Sequence, residues 1–222
     1  MSCTVPGIAA LTLMTAVVAG SGCTYSGGAF LYALGVGRGQ KVPAQFRLTT
    51  GPVLILIDDV SHRADSAPAV RYLFDDLSQE LLRNKAAQKI IPDETLLHLK
   101  QSVPNFEKRG CRELGREAGA EQVLWIEIQD FSAEEQVQDV LVAASIVVTV
   151  KVVNTMEDAN PARARLWPEN PAGHTVAVTL TGSEVSLAKT QDAILKELTN
   201  RLAVDIAKLF YEHRLGDFER PK

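Results

Sequence analysis

The chain has 222 residues, 46% hydrophobic and 23% charged, a composition that supports one globular core and excludes a wholly disordered protein. Its formal charge is −4 and its pI about 5.6, so the chain as a whole carries no basic field for a phosphate backbone, and nucleic-acid binding is set aside.

The first 22 residues contain no charged side chain, and residues 8–19 (IAALTLMTAVVA) form an apolar run that ends in Gly20-Ser21-Gly22-Cys23. This is the layout of a secretory leader. The run has 12 residues where a membrane-spanning helix needs roughly 20, so removal is expected rather than a permanent span. The small residues before Cys23 resemble a bacterial lipobox. That resemblance implies lipidation of the Cys23 sulfur and a protein exported and anchored to a bacterial membrane on its periplasmic face. Gly20 stands where the pattern usually has an aliphatic residue and no Lys or Arg precedes the run, so ordinary cleavage and secretion to the periplasm is the alternative. Cysteine usage agrees: with Cys3 in the leader and Cys23 as the lipid site, Cys111 is left alone, without a disulfide partner or a CxxC pair. The expected organisation is a lipoprotein-type signal peptide over 1–22, a partly docked tether over 23–51, one α/β domain over 52–213 and a polar tail over 214–222.

Taken in order, the tether contains Gly35, Gly37 and Gly39, but Pro43 follows them. The strand-before, helix-after context of a phosphate-binding loop is missing. Residues 52–59 (PVLILIDD) are continuously apolar up to their acidic end, the pattern of a central strand buried on both faces. Ser66 and Pro68 open a helix whose Val70, Leu73, Phe74, Leu77 and Leu81 make one stripe ending near Asn84. A short strand over 88–91 leads into a helix over 92–100, with Asp93 and Glu94 in its first turn. A further helix over 105–118 closes on Gly119 as its C-terminal cap, with Cys111, Leu114 and Ala118 inward.

The strongest strand signal is residues 119–131 (GAEQVLWIEIQDF), where Leu124, Ile126 and Ile128 alternate with Val123, Trp125 and Glu127. The acidic stretch 132–139 reads as an exposed connection. A valine-rich strand over 140–154 follows, with Ile146, Val148, Val150 and Val152 on one side, then a brief strand over 163–167 and an alternating strand from His174. The last element, 187–213, is a long amphipathic helix with Leu187, Ile194, Leu198, Leu202, Ile206 and Leu209 in its stripe. Asp205 falls near the middle of that stripe, and an ion pair with Arg201 at i, i+4 is the expected explanation.

This order predicts an α/β sandwich: a mixed sheet of about five strands, helices packed mainly on one face, and a long C-terminal helix. ELGREAGAEQVLWIEI resembles the helix, Gly-Ala-Asp, apolar-strand segment of the TolB amino-terminal domain and of the related CsgG-type and penicillin-binding-protein-activator lipoproteins, with Glu121 at the acid. VTVKVVNTMEDANPARARLWP resembles the hairpin that follows it. The resemblance extends by element order over residues 52–211 and by motif over about 45 residues. It departs at Asn154, at the lengthened turn 156–162 and at Glu127. It implies a fold and an envelope location, and it carries no catalytic residues across.

No enzymatic constellation stands out. Asp58 and Asp59 end a strand at the edge where α/β sheets place ligands, but neighbouring strand residues point to opposite faces and an oxygen-ligand metal site needs several donors. His62, His98, His174 and His213 are not spaced as a zinc pair, and an inward-facing Cys111 is an inert thiol. No catalytic residue, metal site or cofactor is therefore expected. The lead is the mixed face of the sheet, where Trp125, Glu127, Thr149, Lys151 and Thr179, with Val147, Thr175 and Ala177, lie away from the helices. Its cover is expected to be either the chain's own 30–46 segment or a partner protein of the envelope. A non-catalytic binding or assembly module fits best. The alternatives are a subunit of a CsgG-like secretion channel and a periplasmic metal-dependent enzyme.

Overall fold

The structure, a computed structural model, describes residues 40–59, 67–104, 106–137, 140–157, 161–184 and 190–214. The stretch expected as a leader, Cys23, the expected tether up to residue 39, His62, Leu187 and the expected tail from residue 215 lie outside the described residues.

After a short β1 (Lys41–Val42), β2 (Pro52–Asp58) is the expected all-apolar strand. It is paired on both sides, parallel to β3 (Lys89–Ile90) and parallel to β4 (Gln122–Val137). Val53, Leu54, Ile55 and Leu56 are all buried, because layers of helix lie above and below them. β4 turns back on β5 (Val140–Asn154) as an antiparallel hairpin. Two shorter strands, β6 (Arg165–Trp167) and β7 (His174–Thr181), share the far edge of β5 end to end: β7 pairs with residues 143–150 and β6 with Val152 and Val153. The mixed sheet thus has six strands, against about five expected.

The two long helices, α1 (Ala67–Arg83) and α5 (Gln191–Lys208), lie on one face. Leu73, Leu77 and Leu81 of α1 and Leu198, Leu202 and Ile206 of α5 pack over Ile55, Leu124, Ile126, Val148 and Val150. Three short helices occupy part of the other face: α2 (Asp93–Ser102), α3 (Cys111–Glu117) and α4 (Pro161–Ala164). They form a second core in which Leu96, Leu114 and Ala164 meet Leu54, Val123 and Val153.

Several local features depart from expectation for identifiable reasons. The helix expected over 105–118 breaks into a 3₁₀ turn (Phe106–Lys108) and α3, with Gly110 as the extended N-cap between them. Gly119 caps α3 as predicted. With φ of 74°, it donates to Arg116 O at 3.0 Å, and Ala120 donates to Gly115 O at 2.8 Å, a Schellman closure. The acidic segment is not a free connection: β4 continues to Val137 because β5 supplies its partners, Ser132 opposite Ser145 and Glu135 opposite Ala143. A bulge between Ile128 and Asp130 shifts the alternation by one, so Phe131 joins the helix-bearing face opposite Ile146. Helix α5 starts at Gln191, where the Thr190 hydroxyl accepts from the Ala193 N–H at 3.2 Å. Arg201 does not pair with Asp205. It is held by Glu184 and Glu197, both at 2.7 Å, and Asp205 takes Lys208 at 3.0 Å.

Residues 45 and 46, in the stretch expected as a tether, pack on the domain. Gln45 and Phe46 N–H groups both donate to Leu209 O, β1 pairs with β8 (His213–Arg214), and Phe46 approaches Trp167 with ring centroids 6.5 Å apart. Phe46 belongs to the helix-bearing layer, whereas Trp125 belongs to the other. Residues 40–46 therefore do not cover the mixed face.

Candidate functional site

Strand register arranges the mixed face into rows. Leu54, Val123 and Val153 stand side by side in the first row, Leu56, Trp125 and Lys151 in the second, and Asp58, Glu127, Thr149 and Thr175 in the third. Residues two apart on a strand share a face, so within about 13 Å, at roughly 3.3 Å per residue, the surface passes from apolar through mixed to polar.

The first row is sealed beneath α3 and α4. Its tightness depends on Gly115: a Cβ there would overlap the side chains of Val123 and Thr155. Thr155 is itself fully buried and donates to Ala120 O at 2.6 Å, while Arg116 donates to Thr155 O at 3.1 Å. These bonds satisfy the polar groups of the corner where α3 meets the hairpin.

The second and third rows are joined by Glu127. Its Oε2 receives Lys151 Nζ at 2.5 Å and Thr149 Oγ1 at 3.2 Å, and Gln129 Nε2 donates to Thr149 Oγ1 at 3.1 Å. The Lys151 and Glu127 side chains are only 15% and 18% exposed, so the pair is screened far less than a surface pair. Lys151 Nζ also lies 4.6 Å from the Trp125 ring centroid, a cation–π contact. Gly173, with φ of 98°, passes over the Lys151 stem, and a Cβ there would sit 3.0 Å from Lys151 Cε. Four of the five residues expected on this face, Trp125, Glu127, Thr149 and Lys151, thus form one connected group. Thr179 shares their face but stands opposite Ser145, farther along β7, and is exposed, as are Thr175 and Ala177. Among the described residues no helix lies over this part of the sheet.

A cleft of about 480 Å³ opens where the second row meets the short helices. Lys108, Arg112, Lys151 and Arg165 line it together with Trp125 and, among the described residues, a single carboxylate, Glu113. Cys111 also lines it. Burial raises the Cys111 thiol pKa above its ordinary value, which keeps the sulfur protonated and a poor nucleophile. The sequence reading missed this cleft. The run Lys108-Arg109-Gly110-Cys111-Arg112 is visible in the sequence, but its convergence with Arg165 depends on β6 pairing with Val153. β2 ends at Asp58, one residue before the expected end at Asp59. Among the described residues, no group of three or more His, Cys, Asp or Glu side chains is placed to hold a metal ion.

No protein-family model and no curated protein matches the chain. Several solved structures are similar to it. One is the lipoprotein GNA1162 of Neisseria meningitidis, 12% identical over 70% of this chain and 97% of that one, with a TM-score of 0.43. Another is the PelC dodecamer of Paraburkholderia phytofirmans, 12% identical over 78% of this chain and 97% of that one, with a TM-score of 0.39. A third is the hypothetical protein CT253 of Chlamydia trachomatis, 13% identical over 73% of this chain and 98% of that one, with a TM-score of 0.40. None of the three is described as a TolB- or CsgG-type protein.

Proposed function

We propose that the protein is a lipid-anchored module of the bacterial cell envelope that binds or assembles a protein partner without catalysing a reaction. The single observation that carries the binding role is the division of the mixed sheet face: helices close its apolar row, while the Thr149, Thr175 and Thr179 region has no helix over it among the described residues. The anchor rests on the leader and Cys23. Two acyl chains there, at about 0.8 kcal/mol per buried methylene, suffice for stable attachment. Strand length alone does not favour a channel subunit. β5 has 15 residues, more than the roughly 9 to 11 of a membrane strand, but its apolar side from Ile146 to Val152 is already buried under α5.

A photo-cross-linking residue in place of Thr179 tests the reading in intact cells, with the same residue in place of exposed Lys196 on α5 as control. A discrete protein adduct at Thr179 and none at Lys196 is expected, and adducts of equal yield at both would overturn the binding role. An inhibitor of lipoprotein signal peptidase should accumulate the precursor, and unchanged processing would remove the anchor.

A further inference from the structure

The cleft beside Trp125 concentrates positive charge in a chain whose net charge is −4. Its four cations face one carboxylate, and Glu113 is drawn towards Arg109 at 3.5 Å. Lys151 is offset by Glu127. Among the described residues, Lys108, Arg112 and Arg165 pair with no carboxylate, and Arg112 donates instead to the main-chain oxygen of Glu157. Arg109 is shared with Glu117 at 3.4 Å, so Glu113 offsets part of this charge, but these three cations, without an ion-pair partner of their own, still repel one another around one concavity, and an anion relieves that repulsion. The remaining wall is apolar, with Trp125, Val153 and Ala164. An apolar wall beside convergent charges, in a cleft of this volume, offers a small molecule both a stacking surface and an anchor for its charge.

We propose that this cleft binds a small organic anion, a carboxylate, sulfonate or phosphate monoester carried on a flat or apolar body. The charged end meets Arg165 and Lys108, where guanidinium and ammonium donors reach it, and the body lies against Trp125 and Val153. The inference is independent of the anchor and of the open threonine region, although Trp125 and Lys151 belong to the same sheet face. It needs the geometry of the 3₁₀ turn, α3, β4, β5 and β6.

The test uses the full-length protein in a neutral detergent, with nitrogen-15 in its 2 tryptophans, Trp125 and Trp167. Trp167 packs with Phe46 in the other layer, so its indole signal is an internal control. Naphthalene-2-sulfonate is titrated as the anionic probe and 2-naphthylmethanol as its neutral counterpart. The sulfonate should move the Trp125 signal saturably and leave Trp167 in place. The neutral probe should bind about tenfold more weakly or worse, the scale of one lost charge-assisted hydrogen bond. Arg165→Ala should weaken the sulfonate by a similar factor, and Lys108→Glu, at an exposed position, should do so without touching β6. A Trp125 signal that the sulfonate does not move, equal affinity for the two probes, or unchanged affinity in both variants would overturn the proposal.

Discussion

The two halves of the mixed sheet face belong to the same strands and differ by a few residues of register, yet among the described residues one is a core under short helices and the other, half-buried to exposed, has no helix over it. In the first row Leu54, Val123 and Val153 leave no polar group to satisfy, so short helices bury them at no electrostatic cost. In the third row Asp58, Glu127, Thr149 and Thr175 retain hydrogen-bonding groups that a helix side chain would have to match. Trp125 and Lys151 stand at the boundary. The difference shows that closure of a sheet face is decided row by row, across strands, and not strand by strand.

The largest effect expected from breaking this contrast is Leu54→Ala against Thr175→Ala. Leu54 is 1% exposed, and its truncation should cost about 2–5 kcal/mol, whereas Thr175→Ala should stay within about 0.5 kcal/mol. Denaturant unfolding measures both, and comparable losses would mean that the third row is also a core. Next comes Gly115→Ala. Overpacking against Val123 and Thr155 should cost about 1–3 kcal/mol despite the better helix propensity of alanine. A stabilised variant would show that α3 does not seat this tightly. At the boundary, Glu127→Gln should cost about 1–2 kcal/mol by leaving Lys151 largely desolvated beside a neutral amide. A double-mutant cycle with Lys151→Met isolates that coupling, and a coupling near zero would reduce the pair to a surface contact.

A smaller effect lies away from the face. Glu184 accepts from Thr181 N–H and Thr181 Oγ1, each at 2.8 Å, and from Arg201, and these donors hold its pKa down at about 2 against an ordinary 4.5. Because the folded value is depressed, its contribution is present above about 4.5 and disappears as the pH falls towards 2. The stability gap between the native protein and Glu184→Gln should therefore narrow over that window, and a gap independent of pH would contradict it.

The rows explain which parts of the molecule were legible in the sequence. The stripes and faces of the long unbroken elements were readable, including Leu73, Leu77 and Leu81 on α1 and Ile146, Val148 and Val150 on β5. The Gly119 cap was readable because its chemistry is local. So was the grouping of Trp125, Glu127, Thr149 and Lys151 on one face, since alternation alone puts each of them opposite the long helices. The bulge after Ile128 was not readable, because it depends on how β5 pairs, nor was the strand character of the acidic segment. Gly115 reads as a penalty inside a helix until Val123 and Thr155 are seen against it. The basic cleft was hidden for the same reason: Lys108 and Arg165 are distant in the chain and meet only through β6. Arg201 was assigned to Asp205 by helix spacing, and lost to it once Glu184 came within 2.7 Å from another element.

The central claim is that the face is closed at its first row and open at its third, and cysteine labelling tests it most directly. In a Cys3→Ser, Cys23→Ser and Cys111→Ser background, Thr175→Cys and Val123→Cys are exposed to a thiol reagent in the native purified protein. The account predicts that position 175 reacts at a rate close to that of an unfolded peptide, and that position 123, at 0% exposure, reacts only as the protein unfolds. Equal protection of both positions would mean that the chain covers its own third row, and would contradict the claim.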